Sequence, residues 1–146
     1  MNRSLALVAD RDATVRAALR ELLEERQVIT LGAASAADAL EFLAARPIGL
    51  LFVDLDGGGA LADPLISRAR RLQNRSLIIG LTAACPDAGA EGAAELGLFD
   101  VLDKPFTPGR LRFSVDRALR QLQLLSETGR LREALQRREG FRGIVG

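Results

Sequence analysis

Histidine, tryptophan and tyrosine are missing from the 146-residue chain, and cysteine occurs once, at Cys85. Without histidine the chain has neither a Ser–His–Asp nor a Cys–His nucleophile pair, and it has no histidine ligand for a metal. A single cysteine excludes an internal disulfide and a thiolate zinc cage. Any metal bound here needs oxygen ligands, which favours Mg²⁺, Mn²⁺ or Ca²⁺.

Lysine is nearly missing too, because of the 20 basic residues only Lys104 is a lysine and the others are arginines. Lysine carries a compact ammonium, whereas arginine carries a planar fork of five donors. The lone lysine therefore raises the hypothesis that position 104 needs an ammonium rather than a guanidinium.

No long apolar stretch follows the start of the chain, as a signal peptide or membrane span requires, so we expect a cytoplasmic protein with no membrane partner. Residues 1–103 carry a net charge of −5 and residues 104–146 a net charge of +6. The basic residues lie among heptad-spaced leucines with few aromatics. We interpret this segment as a solvated helical face rather than a nucleic-acid-binding surface.

Five short apolar segments alternate with segments of helical periodicity along the chain. Each apolar segment is apolar on both faces, which predicts an α/β fold with a parallel sheet covered by helices on both sides. Ligands of such folds bind beyond the carboxyl ends of the strands. The predicted strands are residues 5–9, 28–31, 48–53, 77–81 and 99–102, and the predicted helices are residues 12–25, 35–45, 63 onward, 86–97 and 107 onward.

The predicted strand ends carry the side chains of Asp10, Asp54, Thr82 and Lys104. Each of these residues alone can be explained as a helix cap or a turn residue. Four such residues at the same edge of one sheet are less easily explained that way and indicate a functional site. Their chemistry fits phosphoryl transfer to a carboxylate, with Asp54 as the nucleophile that forms an acyl phosphate. Lys104 and Thr82 would then contact the phosphoryl oxygens, and Asp10 would help to hold Mg²⁺.

These motifs resemble the CheY-like receiver domains of bacterial response regulators. The resemblance implies a flavodoxin-like, doubly wound sheet of five parallel strands in the order 2-1-3-4-5, over residues 1–120, with an extended C-terminal helix. It also implies that Asp54 accepts a phosphoryl group from a sensor histidine kinase, with no enzyme activity beyond self-phosphorylation and autodephosphorylation. The matching motifs are the acidic cluster at 8–12, the phosphoacceptor strand at 50–56, the switch hydroxyl at 81–83, and the last strand with its Lys-Pro at 97–106.

The resemblance implies a metal site and a backbone feature as well. The implied Mg²⁺ ligands are the carboxylates of Asp10 and Asp54 and the backbone carbonyl of Asp56, with Asp12 as a further candidate that alternatively only caps its helix. The peptide bond between Lys104 and Pro105 is implied to be cis, which would aim the ammonium into the site.

The sequence departs from the family pattern at the metal site, in the following loop and at the switch position. Arg11 stands where the family has its second acid, the direct metal ligand, and Val101 stands at the aromatic switch position. The loop after Asp54 has three glycines and lacks the usual proline. A guanidinium near the site would repel Mg²⁺ or replace its charge, so we hypothesise weak Mg²⁺ binding. One alternative function is therefore a degenerate, phosphate-independent receiver that acts as an interaction module.

A second alternative comes from a different class of protein. Residues 52–57 also look like the first motif of haloacid-dehalogenase-type phosphatases, in which the first Asp is the nucleophile and the second a general acid/base. Those enzymes need an acidic metal pair after the lysine. The acids beyond Lys104 all lie in helical sequence, which disfavours this alternative.

The C-terminal helix carries a heptad seam, from which we predict a helical, coiled-coil linker over residues 121–140 that forms a homodimer. Early members of the seam should pack on the sheet, and later ones should extend past the domain. Residues 141–146 resemble the entry to the AAA+ ATPase domain of NtrC-like, sigma-54-dependent transcriptional activators, which implies an attached output domain. The alternative is a stand-alone receiver that signals by protein contact. The seam consists of Leu111, Val115, Ala118, Leu122 and Leu125.

Overall fold

The computed structural model describes residues 5–56, 59–71, 76–83 and 97–125, and within these ranges strands and helices alternate as the sequence predicts. Residues 86–96 of the helix predicted at 86–97, and everything predicted for residues 126–146, lie outside the described residues; Gly97 itself lies in a turn. The elements are β1 (Leu5–Ala9), α1 (Ala13–Glu25), β2 (Ile29–Ala33), α2 (Ala36–Ala45), β3 (Ile48–Asp54), α3 (Ala62–Arg71), β4 (Leu77–Thr82), β5 (Asp100–Asp103) and a helix over residues 108–125 (α4).

The five strands form one parallel sheet in the order β2-β1-β3-β4-β5, which confirms the predicted fold class and strand order. Strand β1 lies between β2 and β3, so the strand order reverses between β1 and β3. In open α/β sheets this reversal creates a crevice beyond the carboxyl ends of the two strands. The residues that follow β1 and end β3 therefore face each other across that crevice.

Each face of the sheet is covered by its own apolar core, because successive side chains of a strand point to opposite faces. On β3, Leu51 and Val53 belong to the core that includes residues of α2 and α3. Leu50 and Phe52 belong to the opposite core, which includes residues of α1 and α4. The two-sided burial explains why the strands read as continuous apolar runs rather than as alternating patterns.

Side-chain caps set the starts of the helices. The Asp12 carboxylate accepts a hydrogen bond from the backbone N–H of Thr14, and the Ser35 hydroxyl accepts one from Asp38. The Thr107 hydroxyl accepts a hydrogen bond from the N–H of Arg110 at the start of α4. Each cap occupies the N-terminal position that its short polar side chain favours. Strand β2 differs slightly from prediction, since it passes through Gly32 and ends at Ala33.

The heptad seam of α4 packs on the domain through most of its described length. Its first members, Leu111, Val115 and Ala118, are buried in the core against the sheet, as expected. Leu122, the next member, is partly buried, because Gly49 on β3 leaves room for its side chain. The large apolar side chain that is exposed near this end of α4 is Leu124. In the described ranges, no helix is both long and apolar enough to cross a membrane.

A buried polar cluster ties β5 to α4. The Asp100 carboxylate accepts two hydrogen bonds of 3.0 Å from the guanidinium of Arg110, one of 2.7 Å from the Ser114 hydroxyl and one of 2.8 Å from the N–H of Val101. Burial raises the pKa of Asp100, but these hydrogen bonds, led by that of Arg110, outweigh it and hold the pKa below its usual value. The carboxylate therefore stays ionised and fixes the strand that precedes Lys104.

We expect Asp100→Asn to lower the free energy of unfolding at pH 7 by about 1–3 kcal/mol, because it removes the charge from these hydrogen bonds. The pKa of Asp100 is lower in the folded chain than in the unfolded one, so its stabilisation is complete at neutral pH and is lost as the pH falls below about 4. Denaturant unfolding should show the deficit of the variant shrinking in acid. Asp103→Asn, which changes an exposed acid on the same strand, is the control. A deficit that stays the same at pH 7 and pH 3 would contradict this account.

Candidate functional site

The carboxyl ends of four strands bring the four predicted side chains to one edge of the sheet. Asp10 follows β1, Asp54 ends β3, Thr82 ends β4 and Lys104 follows β5. Backbone hydrogen bonds continue the pairing past the strand ends, from the N–H of Lys104 to the carbonyl of Thr82 at 2.8 Å and from Asp10 to the carbonyl of Ala33 at 3.1 Å. Backbone hydrogen bonds therefore hold two of these positions in addition to the side-chain contacts.

The Lys104 ammonium lies between two carboxylates. Its Nζ is 2.7 Å from Oδ2 of Asp10, as a charge pair rather than a well-directed hydrogen bond, and it donates to Oδ1 of Asp54 at 3.2 Å. The side chains of Asp10, Asp54 and Lys104 are 1%, 13% and 18% exposed, so water screens these contacts only weakly. The peptide bond between Lys104 and Pro105 is cis, as the resemblance implied.

The protonated state of Lys104 follows from its two partners. Burial lowers the pKa of Lys104, but its close contacts with the charged carboxylates of Asp10 and Asp54 outweigh it and hold the pKa above its usual value. Lys104 therefore remains an ammonium at neutral pH. A compact charge between two carboxylates agrees with the use of lysine here in a chain that otherwise uses arginine.

The carboxylate of Asp56 belongs to the site, although the resemblance to receiver domains implied a role only for the backbone carbonyl of this residue. Oδ1 accepts a hydrogen bond of 2.6 Å from the Thr82 hydroxyl, and Oδ2 accepts one of 2.9 Å from the N–H of Ala83. The hydrogen bond from Thr82, helped by Ala83 and by the charge of Lys104, holds the pKa of Asp56 below its usual value. The contact could have been found only from the register of β3 and β4, which pairs Asp54 with Leu81 and so brings Asp56 to the end of β4.

The side chains of the remaining predicted residues form no hydrogen bond with this group in the described part of the chain. Asp12 is exposed and caps α1 through its carboxylate, and Arg11 is exposed beside it. The carbonyls of Asp10 and Arg11 both accept hydrogen bonds from the guanidinium of Arg16, which holds the loop after β1. Val101, at the predicted switch position, is buried in the core on β5.

The acidic residues of the site are arranged around protein donors rather than around a shared metal position. Asp10 accepts a hydrogen bond of 2.9 Å from the N–H of Asp12 and faces Lys104, while the Asp56 carboxylate faces β4. In the part of the chain that the structure describes, no three His, Cys, Asp or Glu side chains are grouped so as to hold a metal ion. The predicted Mg²⁺ set has only two acidic side chains, Asp10 and Asp54, beside the carbonyl of Asp56. Both carboxylates contact the Lys104 ammonium, and we assign no chemical step to a metal.

Comparison with known proteins decides the family. Residues 6–116 match the family model described as the response regulator receiver domain. The chain belongs to this family. Receiver domains of two-component systems are in general phosphoacceptors that interact with histidine kinases, and they typically bind Mg²⁺ at the phosphorylation site.

Relatives of this receiver domain include longer proteins and separate receiver domains. The chain is 32% identical over 123 residues to the response regulator protein PilR of Pseudomonas aeruginosa, covering 82% of this chain and 27% of PilR. The solved structure of NtrX from Brucella abortus in complex with ADP aligns with a TM-score of 0.75 at 23% identity, over 90% of this chain and 29% of NtrX. The signal receiver domain of an HD domain-containing protein from Pseudomonas fluorescens Pf-5 aligns with a TM-score of 0.73 at 23% identity. The alignment covers 87% of this chain and 94% of that domain. The chain therefore spans under a third of PilR and NtrX.

Lys104→Ala is expected to lower the free energy of unfolding by about 2–3 kcal/mol, because it leaves the carboxylates of Asp10 and Asp54 facing each other without a cation. Adding Asp54→Asn to that variant should restore part of the loss, since it removes one of the two charges. Denaturant unfolding at neutral pH measures both changes, with the exposed Arg46→Ala as the control. Unchanged stability in Lys104→Ala, or a further loss in the double variant, would show that the ammonium does not balance these charges.

Arg11→Asp is expected to tighten Mg²⁺ binding of the receiver by about tenfold or more, because an oxygen ligand replaces a cation near Asp10. Isothermal titration with MgCl₂ measures the two affinities. Arg46→Asp makes the same change of charge at the amino end of β3, on the far edge of the sheet, and should leave the affinity unchanged. Equal and tight Mg²⁺ affinity in the wild type and in Arg11→Asp would refute the hypothesis that Arg11 weakens the metal site.

Proposed function

We propose that Asp54 accepts a phosphoryl group from a sensor histidine kinase in the cytoplasm and that the receiver thereby regulates an attached output domain. The observation that supports this proposal most directly is the contact of the Lys104 ammonium with the Asp54 carboxylate at the carboxyl ends of the strands. Both hydrogen bonds that described residues make to Asp54, from Lys104 and from the N–H of Asp56, end on Oδ1. Oδ2 is therefore the oxygen proposed to attack phosphorus.

The proposed reaction forms a bond between Oδ2 of Asp54 and phosphorus and breaks the bond from phosphorus to the donor's leaving group, which departs with the bonding electron pair. The transferred group brings negative charge to a site that already holds acids. Lys104 is already positioned as a cation and needs little reorganisation to neutralise that charge, which is how proteins promote phosphoryl transfer. Thr82, whose hydroxyl donates to Asp56 in the unmodified site, is proposed to donate to a phosphoryl oxygen once Asp54 is phosphorylated.

A second candidate function is the degenerate receiver that acts without phosphate. It is favoured by the exposed Arg11 at the position of the family's second acid and by the arrangement of the acids around protein donors. The phosphatase alternative has no such support: the acid of α4 in the described range, Asp116, pairs with Arg26 on the surface. We therefore propose no enzyme activity beyond self-phosphorylation and autodephosphorylation.

The output is proposed from the lengths of the relatives and from the sequence beyond the described residues. PilR and NtrX are several times longer than this chain, which matches under a third of each. Residues 141–146 resemble the start of an AAA+ domain, so we propose a receiver over residues 1–120, a linker over 121–140 and a sigma-54-dependent activator beyond it. Because Leu122 packs on the domain, a homodimer through this helix would use residues beyond it. No direct contact of this part with nucleic acid is proposed.

Incubation of the chain with acetyl phosphate and MgCl₂ should add the mass of one phosphoryl group, because Asp54 is the proposed acceptor. Intact-mass spectrometry measures the product, and Asp54→Asn should remove the added mass. Asp103→Asn, an exposed acid near the same edge, is the matched control and should still be labelled. No added mass in the wild type would favour the phosphate-independent receiver, and added mass that persists in Asp54→Asn would place the acceptor elsewhere.

A further inference from the structure

Two adjacent donors at the end of β4 form hydrogen bonds with the same carboxylate. The Thr82 hydroxyl donates to Oδ1 of Asp56 at 2.6 Å, and the N–H of Ala83 donates to Oδ2 of the same side chain at 2.9 Å. One donor reaches each oxygen, so the carboxylate sits across the pair as a small oxyanion would. Hydrogen bonds to an ionised acceptor are short and about twice as strong as those between neutral groups.

We propose that Asp56 acts as a resident anion while Asp54 is unmodified. Its carboxylate occupies the donors of Thr82 and Ala83, and it thereby holds the end of β4 as a bound oxyanion would. This part stands on geometry alone. Its regulatory consequence rests on the proposed function: a phosphoryl group on Asp54 has to displace Asp56 to use these donors.

The position of Asp56 next to the acceptor is fixed by the backbone. The N–H of Asp56 donates to Oδ1 of Asp54 at 3.1 Å, and the N–H of Leu55 donates to the carbonyl of Leu81 at 2.8 Å. Between them, the Leu55 side chain lies against Gly80, where an added Cβ would be 2.5 Å from it. The segment from Asp54 to Asp56 is thus anchored to β4, which places the Asp56 carboxylate at the donors beside the phosphoacceptor.

The displacement follows from the number of hydrogens. The Thr82 hydroxyl has one hydrogen to donate, and the N–H of Ala83 has one as well. Both are directed at Asp56, so a phosphoryl oxygen cannot receive either at full strength until the carboxylate moves away. Asp56 also adds a negative charge beside Asp54, which opposes the arrival of an anionic phosphoryl donor.

Removing Asp56 should therefore have two measurable effects. In unphosphorylated Asp56→Ala, the backbone amide of Ala83 should exchange its hydrogen about tenfold faster, because a charge-assisted hydrogen bond is lost. The initial rate of Asp54 phosphorylation by acetyl phosphate, followed by intact mass, should rise about threefold or more. Asp56→Asn, which keeps the shape without the charge, should lie between Asp56→Ala and the wild type in both measurements.

Asp103→Asn is the charge control, because Asp103 is an exposed acid opposite Thr82 in the β4–β5 register. It should change neither the exchange of the Ala83 amide nor the phosphorylation rate by as much as Asp56→Ala does. Equal exchange of the Ala83 amide in the wild type and in both Asp56 variants would overturn the resident anion. Faster exchange with an unchanged or lower phosphorylation rate would overturn the competition. If no variant is phosphorylated, the proposed function and its competition both fail, while the amide exchange still decides the resident contact.

Discussion

The arrangement of the functional edge of the sheet depends on the contacts that the Lys104 ammonium makes with two carboxylates. Asp10 follows β1 and Asp54 ends the adjacent β3, at the point where the strand order reverses, so their carboxylates face the same crevice. Without a cation the two charges would repel each other in a site that water screens poorly. Because Lys104 comes from β5, on the far side of β4, its contacts with Asp10 and Asp54 connect the ends of three strands.

The position of that ammonium is set by packing some distance away from it. Asp100 at the start of β5 is held by Arg110 and Ser114 of α4, so the helix fixes the strand that leads to the lysine. On the neighbouring strand, Gly80 admits the side chain of Leu55, which keeps the segment after Asp54 against β4. Asp54 and Lys104 therefore meet because two apolar cores and the polar cluster of Asp100 hold β3, β4 and β5 in register.

Much of the fold and part of the site can be predicted from local patterns. Continuous apolar strands between helical segments predict a parallel sheet, and the residues after those strands then predict that Asp10, Asp54, Thr82 and Lys104 meet. The role of the Asp56 carboxylate could not be predicted, because its contact with Ala83 depends on the pairing of Asp54 with Leu81. These two residues are 27 positions apart and pair only in the folded sheet. The burial of Leu122 likewise depends on Gly49, far away in the chain.

The single lysine of the chain allows a direct measurement of this contact. Protein labelled with ¹⁵N at lysine Nζ gives one ammonium signal in an NMR spectrum, and that signal belongs to Lys104. An ammonium held between the two carboxylates should give a slowly exchanging signal at neutral pH, and that signal should shift in both Asp10→Asn and Asp54→Asn. A rapidly exchanging signal at the frequency of an exposed lysine, unchanged in either variant, would contradict the account.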